Sequence, residues 1–372
     1  MASGTAYRCK NLHLDVLHFF PDPIKFKSTG KLYQAPPSKA SKTRRRSKAL
    51  ITRLPLEILH LILLNLDLTS LGMLRRVDTT SRRLVESLPA YRLLRKHAPY
   101  TLCLMDATRC SSHFPIQWIF TEFCHPWCRT CGEFGPYLYL PTVSRSCYKC
   151  NYLRPEYQVA PVTDVCLHFG LTQKDVKSLP ITYNILPPKR RLVDITQAKA
   201  LGRQLHGSYK AMRQEYQRRR KELEENYQQR VQKWKRQKQQ GKSARCPWRQ
   251  PIPTTLGMNG ETSWRMQATV TFPYWDRRTQ TLEPGTFCRA CTYHWEEGKA
   301  KDWRRMETVF HPHPPSREAY FRAFLEAELP QHFLHCAAVK ANYNFREILL
   351  TRTGPRREGT DFVVAPKKII AG

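Results

Sequence analysis

The sequence predicts an α+β protein, and three observations carry that reading. Leucine and isoleucine recur at helical spacing in three short bursts between Leu54 and Leu88. Two Cys-x-x-Cys pairs, Cys128/Cys131 and Cys147/Cys150, flank the strand-like run Tyr137-Leu138-Tyr139-Leu140. A stretch rich in Arg, Lys, Glu and Gln, from about Asp194 to Gln240, carries an apolar residue mostly every three or four positions. These features give a three-helix unit at the front, a mixed body with a cysteine-stapled segment, a long basic helix and C-terminal helices. The expected divisions are a disordered basic tail (1–50), the helical unit (51–98), and the cysteine-stapled segment with short helices (99–190). The long helix (191–242), an α+β body (243–352) and a flexible tail (353–372) follow.

Pro55 opens the first helix, where a missing N–H costs little, and Leu56, Leu59, Ile62/Leu63 and Leu66 form its apolar row. Asp67 to Ser70 breaks it. Leu71, Leu74 and Val77 give a short second helix. Thr79, Thr80 or Ser81 is expected to cap a third, carrying Leu84, Val85 and Leu88. Three such helices bury only a small core, so the unit is marginal alone and leaves apolar side chains over.

The pattern resembles the F-box. That family's Leu-Pro-x-Glu-(Ile/Leu) start stands here as Leu54-Pro55-Leu56-Glu57-Ile58. Its later elements stand as Ile62-Leu63, Leu66, Leu71-Leu74-Arg75-Arg76-Val77 and Arg82-Arg83-Leu84. Asp78 replaces a frequent Cys and Ser81 a frequent Trp or Phe. The resemblance implies docking to a Skp-type adaptor within a cullin-based ubiquitin ligase, through Leu54, Pro55, Ile58, Leu59, Ile62, Leu66, Leu74 and Val77. An unknown target would then be held for ubiquitin transfer. The alternative is a plain helical bundle within a core.

The 372 residues leave room for two or three domains, and the net charge of +32 is concentrated. Residues 1–50 hold 11 Lys/Arg against two Asp, and residues 203–249 hold 15 Lys/Arg against four Glu. Such an excess promotes weak binding to polyanions whatever the function. The basic run Lys42 to Lys48 is a candidate nuclear localisation signal, against the bland reading of a charged tail. The first ten residues hold no apolar run, and the longest apolar stretch, Leu54 to Leu66, is far too short to span a bilayer. The expected setting is intracellular, in nucleus or cytoplasm, with no membrane association, so 13 cysteines read as metal ligands or free thiols.

Cys128, Cys131, Cys147 and Cys150 have the spacing of a structural zinc site, each pair supplying two corners of a tetrahedron. Gly132 follows the first pair, where the turn needs positive φ, and Tyr137–Leu140 with Thr142-Val143 read as strands of a zinc ribbon. Cys124 is spare. Further on, Thr163 and Thr172 are expected to cap two short helices, with Gly170 stopping the first. A four-cysteine unit followed by such a pair is also similar to the DNA-damage-recognition zinc domain of excision repair. For the long helix three readings stay open: packing on its own domain, pairing with a second chain, or binding nucleic acid.

Gln267 to Phe272 reads as a strand, with Trp264, Trp275, Trp295 and Trp303 around it. Cys288 and Cys291 form a third pair, and His332 and Cys336, four apart in a helix-like stretch, share one face. These four are candidate ligands of a second zinc, with His294, His311, His313 and His335 as rivals. Ser316 is expected to cap another helix whose buried face holds Tyr320, Phe321, Phe324 and Leu325, interrupted by Pro330. The ribbon behind the helical unit, with the late His-Phe-x-x-Cys stretch, resembles a group of fungal F-box proteins of uncharacterised target. No phosphate loop, dinucleotide turn, Gly-x-Ser-x-Gly elbow or His-Glu-x-x-His helix occurs, so the expectation is a non-enzymatic adaptor. The competing expectation is a nucleic-acid-binding zinc protein that uses the four-cysteine unit and the basic helix.

Overall fold

The computed structural model describes residues 54–184, 190–249, 256, 268–288, 291 and 322–336, with the backbone of 6–9 and 362–364. The chain is a mixture of helices and small antiparallel sheets. Strand β1 (Ala6–Cys9) comes first, then helices α1 (Leu56–Leu64), α2 (Leu68–Leu74), α3 (Thr79–Ser87), α4 (Pro89–His97), α5 (Pro99–Ala107) and α6 (Ile116–Phe123). The hairpin β2 (Tyr137–Tyr139) and β3 (Ser144–Ser146) leads into α7 (Tyr148–Leu153). Next are β4 (Val159–Pro161), α8 (Val162–His168), α9 (Gln173–Val176), β5 (Ile181–Tyr183) and β6 (Arg191–Asp194). Helices α10 (Ile195–His206) and α11 (Tyr209–Gln239) follow. The last elements are β7 (Thr269–Thr271), β8 (Tyr274–Asp276), β9 (Thr281–Glu283), β10 (Thr286–Cys288), β11 (Ala323–Phe324), α12 (Leu329–His335) and β12 (Phe362–Val364).

The chain divides into two compact units, one built from residues 1–153 and 269–372, the other from 154–268. In the first unit the helix starts are set by short polar side chains and prolines. Pro55 stands just ahead of α1. Asp67 starts α2 by accepting the Ser70 N–H at 2.9 Å. Asp78 caps α3, accepting the Ser81 N–H at 2.7 Å, in place of the Thr79, Thr80 or Ser81 expected from the sequence. A carboxylate is the stronger acceptor for that N–H and suits the positive end of the helix dipole. Pro89 and Pro99 sit in the first turns of α4 and α5.

The helical front therefore runs past residue 98. Leu63, Leu68, Leu71, Val85, Leu88 and Leu94 form an inner face, and α4 packs on α5 and α6, which bury Leu102, Met105, Ile116 and Ile119. Phe123 on α6 stacks with Trp275, their ring centroids 6.3 Å apart and nearly parallel, and Trp275 also stacks with His97. Thus the second chain segment of this unit seals part of the helical front.

Strand β2 lies between β3 and β7, all antiparallel. The second ribbon strand starts at Ser144, later than the expected Thr142-Val143, because Val143 turns the chain at φ 48°. The expected strand at Gln267–Phe272 is β7, pinned to α5 by the Thr101 hydroxyl donating to the Thr271 carbonyl at 2.8 Å. Strand β1 pairs with β10 and β12, and β10 with β11, so Ala6–Cys9 and Phe362–Val364 are strands although the sequence placed them in tails. Phe324 lies in strand β11, not in the expected helix, and Pro330 falls in the first turn of α12 and opens that helix instead of interrupting one. The expected helix start at Ser316, with Tyr320 and Phe321, lies outside the described residues, as do Lys42–Lys48, Trp264, Trp295 and Trp303.

In the second unit β6 lies between β4 and β5. Val162, Val165, Phe169, Leu171, Val176, Val193, Ala198 and Met212 form its core. Thr172 caps α9 as expected, and its side chain forms a capping box with Asp175, whereas Thr163 lies inside α8, which Pro161 precedes. The long helix is two helices. Gly207 takes a left-handed φ of 74° and ends α10, and the Ser208 hydroxyl accepts the Ala211 N–H at 3.1 Å to start α11.

The apolar row of α11 skips from Tyr216 to Leu223, and the skip has a local cause. Arg219 occupies the row and donates to the carbonyls of Cys166 (3.1 Å), Leu171 (2.7 Å) and Gly170 (2.7 Å), at the C-terminal end of α8. Glu215 holds the same guanidinium at 2.7 Å. A cation there satisfies carbonyls that a helix end leaves without partners. Arg219→Ala should therefore lose about 1–3 kcal/mol of stability, read as faster amide exchange across residues 165–176. Arg220→Ala, its exposed neighbour, should stay within about 0.5 kcal/mol. Equal effects of the two would contradict the clamp.

Candidate metal centres and an exposed apolar face

The first unit brings together both cysteine sets named from the sequence. The Sγ atoms of Cys128, Cys131, Cys147 and Cys150 all lie within 4.8 Å of one another. Cys131 and Cys147 are 3.5 Å apart. A tetrahedron with metal–sulfur bonds of about 2.3 Å has edges of about 3.8 Å, whereas a disulfide needs about 2.05 Å. Gly132 turns the first knuckle at φ 73°, with its N–H donating to the Cys128 carbonyl at 3.1 Å. The second knuckle runs into α7, whose Cys150 N–H points at Cys147 Sγ from 3.4 Å. The hairpin β2–β3 spans the interval between the knuckles.

Crowding four thiols sets their ionisation. The Cys147 thiol donates to Cys128, and together with the N–H groups of Cys131 and Thr130 pulls the Cys128 pKa down to about 4. That hydrogen bond and burial push Cys147 upward, and burial beside the Cys128 thiolate pushes Cys150 up to about 12. A cation at the centre would replace those protons, because metal ligation needs all four as thiolates.

The second set is assembled over a longer loop. Strand β10 ends at Cys288 and pairs with β11, Phe287 opposite Ala323, which carries the chain toward α12. Helix α12 then presents His332, with Cys336 directly after it. Cys291 Sγ lies 3.5 Å from Cys336 Sγ and 3.7 Å from His332 Nε2, and Cys288 Sγ lies 4.0 Å from Cys336 Sγ. These edges also fit a four-coordinate ion with one imidazole. The Phe324 ring packs on His332 at 4.3 Å and fixes its orientation. Of the rivals, His335 is exposed and outside the cluster, and His294, His311 and His313 lie outside the described residues. Cys124 stands apart from both sets, its thiol pushed up by burial. A cavity of about 180 Å³ is bordered by members of both sets, Cys147 on one side and Cys291 with His332 on another. An ion pair, Arg322 to Glu133 at 3.1 Å, and Phe134, Tyr148 and Phe324 line the rest.

Arg145 and Glu122 organise the first knuckle region, and sequence reading missed both. Arg145 is fully buried and donates to the carbonyls of Glu122 (2.9 Å), Gly135 (2.6 Å), Phe272 (2.8 Å) and Pro273 (2.9 Å). Its own amide donates to Glu122 Oε2 at 2.9 Å, and Arg129 also pairs with that carboxylate. Burial lowers the Arg145 pKa to about 9, and Glu122 opposes the shift. The only sequence signal was an arginine in a short strand otherwise made of serines.

The residues expected to dock a partner divide by exposure. Leu54, Pro55, Ile58, Ile62 and Val77 are exposed, Val77 by 70%. Leu66 and Leu74 are half-buried, and Leu59 faces inward at 9%. Leu56, Leu61 and Met73, which the sequence reading did not name for docking, join the exposed set. An amphipathic reading assigns one apolar stripe per helix. Helix α1 carries apolar residues on both its inner and outer faces.

No protein-family model matches the chain, and no curated protein or solved structure does. Among the described residues no helix is long and apolar enough to cross a membrane.

Two metal ions per chain are expected by elemental analysis. Cys147→Ser should remove one and Cys336→Ser the other, each lowering the melting temperature of the first unit. A chain that holds no tightly bound metal would contradict both centres.

Proposed function

We propose that this chain is an F-box substrate-receptor adaptor, docking a Skp-type protein of a cullin-based ubiquitin ligase and presenting a still unidentified target for ubiquitin transfer. The observation that carries the reading is the outer face of α1 and α2. The inner apolar row, Leu59, Leu63, Leu68 and Leu71, is buried within the first unit, yet Leu54, Ile58, Ile62 and Val77 remain in water beside the Leu-Pro-x-Glu-Ile start. A contiguous exposed apolar patch marks an interaction site more often than it marks solvent surface. Burying each such side chain contributes on the order of 1.5–3 kcal/mol, enough in sum to offset the cost of association.

The two cysteine sets serve as structural zinc sites in this reading. Thiolate and imidazole ligands at tetrahedral spacing select zinc over harder cations. The first set, with the hairpin between its knuckles, is a zinc ribbon. Each set supplies four protein ligands and leaves no coordination position for a substrate, so in this reading the metal is a fold element and the adaptor needs no catalytic site. Such an adaptor works inside the cell, in nucleus or cytoplasm, where thiols stay reduced.

Co-expression with a Skp-type protein should give a complex that survives gel filtration. Leu54→Asp combined with Ile58→Asp should abolish it while leaving metal content and helix content unchanged. A monodisperse chain that ignores the Skp-type partner, or a double variant that still binds, would sink the proposal.

A further inference from the structure

The end of α11 and the segment after it form a structure that the adaptor reading does not use. Residues 226–249 contain eight Lys or Arg and no Asp or Glu, and all eight cations are exposed. The four glutamates of α11 lie earlier, and each faces a cation: Glu215 and Glu222 face Arg218, Glu224 faces Arg249, and Glu225 faces Lys221. Of the eight cations of residues 226–249 they compensate Arg249 alone.

That end is a folded two-legged prong. The indole N–H of Trp234 donates to the Ala244 carbonyl at 2.9 Å, and Arg249 reaches back to Glu224 at 2.8 Å and lies over the Tyr227 ring. Residues 242–249 thus run back along the helix. Met212 is the only buried residue of α11, so hydrophobic burial does not explain why the helix continues for 27 residues beyond it to Gln239. At about 1.5 Å per residue that extension is about 40 Å long. Trp248, 69% exposed, sits on the returning leg among these cations. A rod of like charge repels itself, and an exposed indole gains nothing from water. A polyanion with flat apolar faces relieves both.

We infer that the prong formed by residues 226–249 binds single-stranded nucleic acid, its lysines and arginines on phosphates and Trp248 stacked on a base. Duplex does not offer an unstacked base, an acidic lipid headgroup offers no aromatic ring, and an acidic protein does not repeat a ring beside every charge as single-stranded nucleic acid does. The inference does not rest on the adaptor reading, and either stands if the other fails.

The test uses the full chain and a labelled single-stranded RNA of mixed sequence, with anisotropy followed over a salt series. A variant with Arg230, Lys233, Lys235, Arg236 and Lys238 changed to Gln keeps good helix formers. It should flatten the log–log salt slope by up to about 3.5, at about 0.7 for each of the five lost phosphate contacts. Trp248→Ala should weaken binding about tenfold with the slope unchanged. Changing Lys42, Arg44, Arg45, Arg46 and Lys48 to Gln removes as much charge and should change little. Three outcomes overturn the inference: the second charge variant losing as much as the first, Trp248→Ala binding like the parent, or duplex DNA, anionic vesicles or poly-glutamate binding as tightly as the RNA. Unchanged metal content and helix content show that the variants remain folded.

Discussion

The first unit depends on one buried cation. Arg145 sits in β3, two residues before Cys147, and its guanidinium bonds the end of α6, the turn at Gly135 and the backbone of Phe272 and Pro273 beyond β7. Three parts of the chain that are far apart in sequence meet at this side chain: the helical front, the first cysteine set and the second segment. Desolvating a guanidinium costs several kcal/mol, and only a near-complete set of acceptors offsets that cost. Glu122 supplies the countercharge and also accepts the Arg145 amide. Removing either member would leave an uncompensated buried charge, the expensive case.

From that joint the rest of the unit follows. Holding β7 against β2 brings Trp275 under α6, where it stacks with Phe123 and closes the inside of the helical front. Closure of the inside is what gives the outside its meaning. If the leucines of α1 were the core of a small bundle, their pattern would need no further explanation. With Leu63, Leu68 and Leu71 already buried, the second row on α1 is surplus to folding and available to a partner. The same joint fixes the start of the second cysteine knuckle, and the four clustered thiols lie at the two ends of the hairpin.

Local chemistry made part of this legible. The knuckle cysteines, Gly132, Pro55, the Thr172 cap and the Gly170 turn, left-handed at φ 69° just after α8, need only neighbours within a few residues, and sequence spacing reports such relations directly. The set Cys288, Cys291, His332 and Cys336 was also readable, because a helical stretch that presents His332 delivers Cys336 one turn later, at the residue that ends α12. What escaped the sequence depends on distant partners. Arg145 looks like an ordinary strand arginine until carbonyls 127 and 128 residues away are placed beside it. Arg219 looks like an interruption until the end of α8 lies against it. The break at Gly207-Ser208 was hidden by a charge pattern that continues across it. Leu59 and Val77 share one motif, but only packing assigns one inward and the other outward.

The central claim is that Arg145 couples the two chain segments of the first unit. Arg145→Lys keeps the charge and removes the fork, so hydrogen–deuterium exchange of this variant tests the claim most directly. The account predicts that amides of residues 137–146 and 269–272 lose protection together, while those of residues 192–205 in the second unit stay as in the parent. Protection unchanged in both segments, or lost only around residue 145, would contradict it.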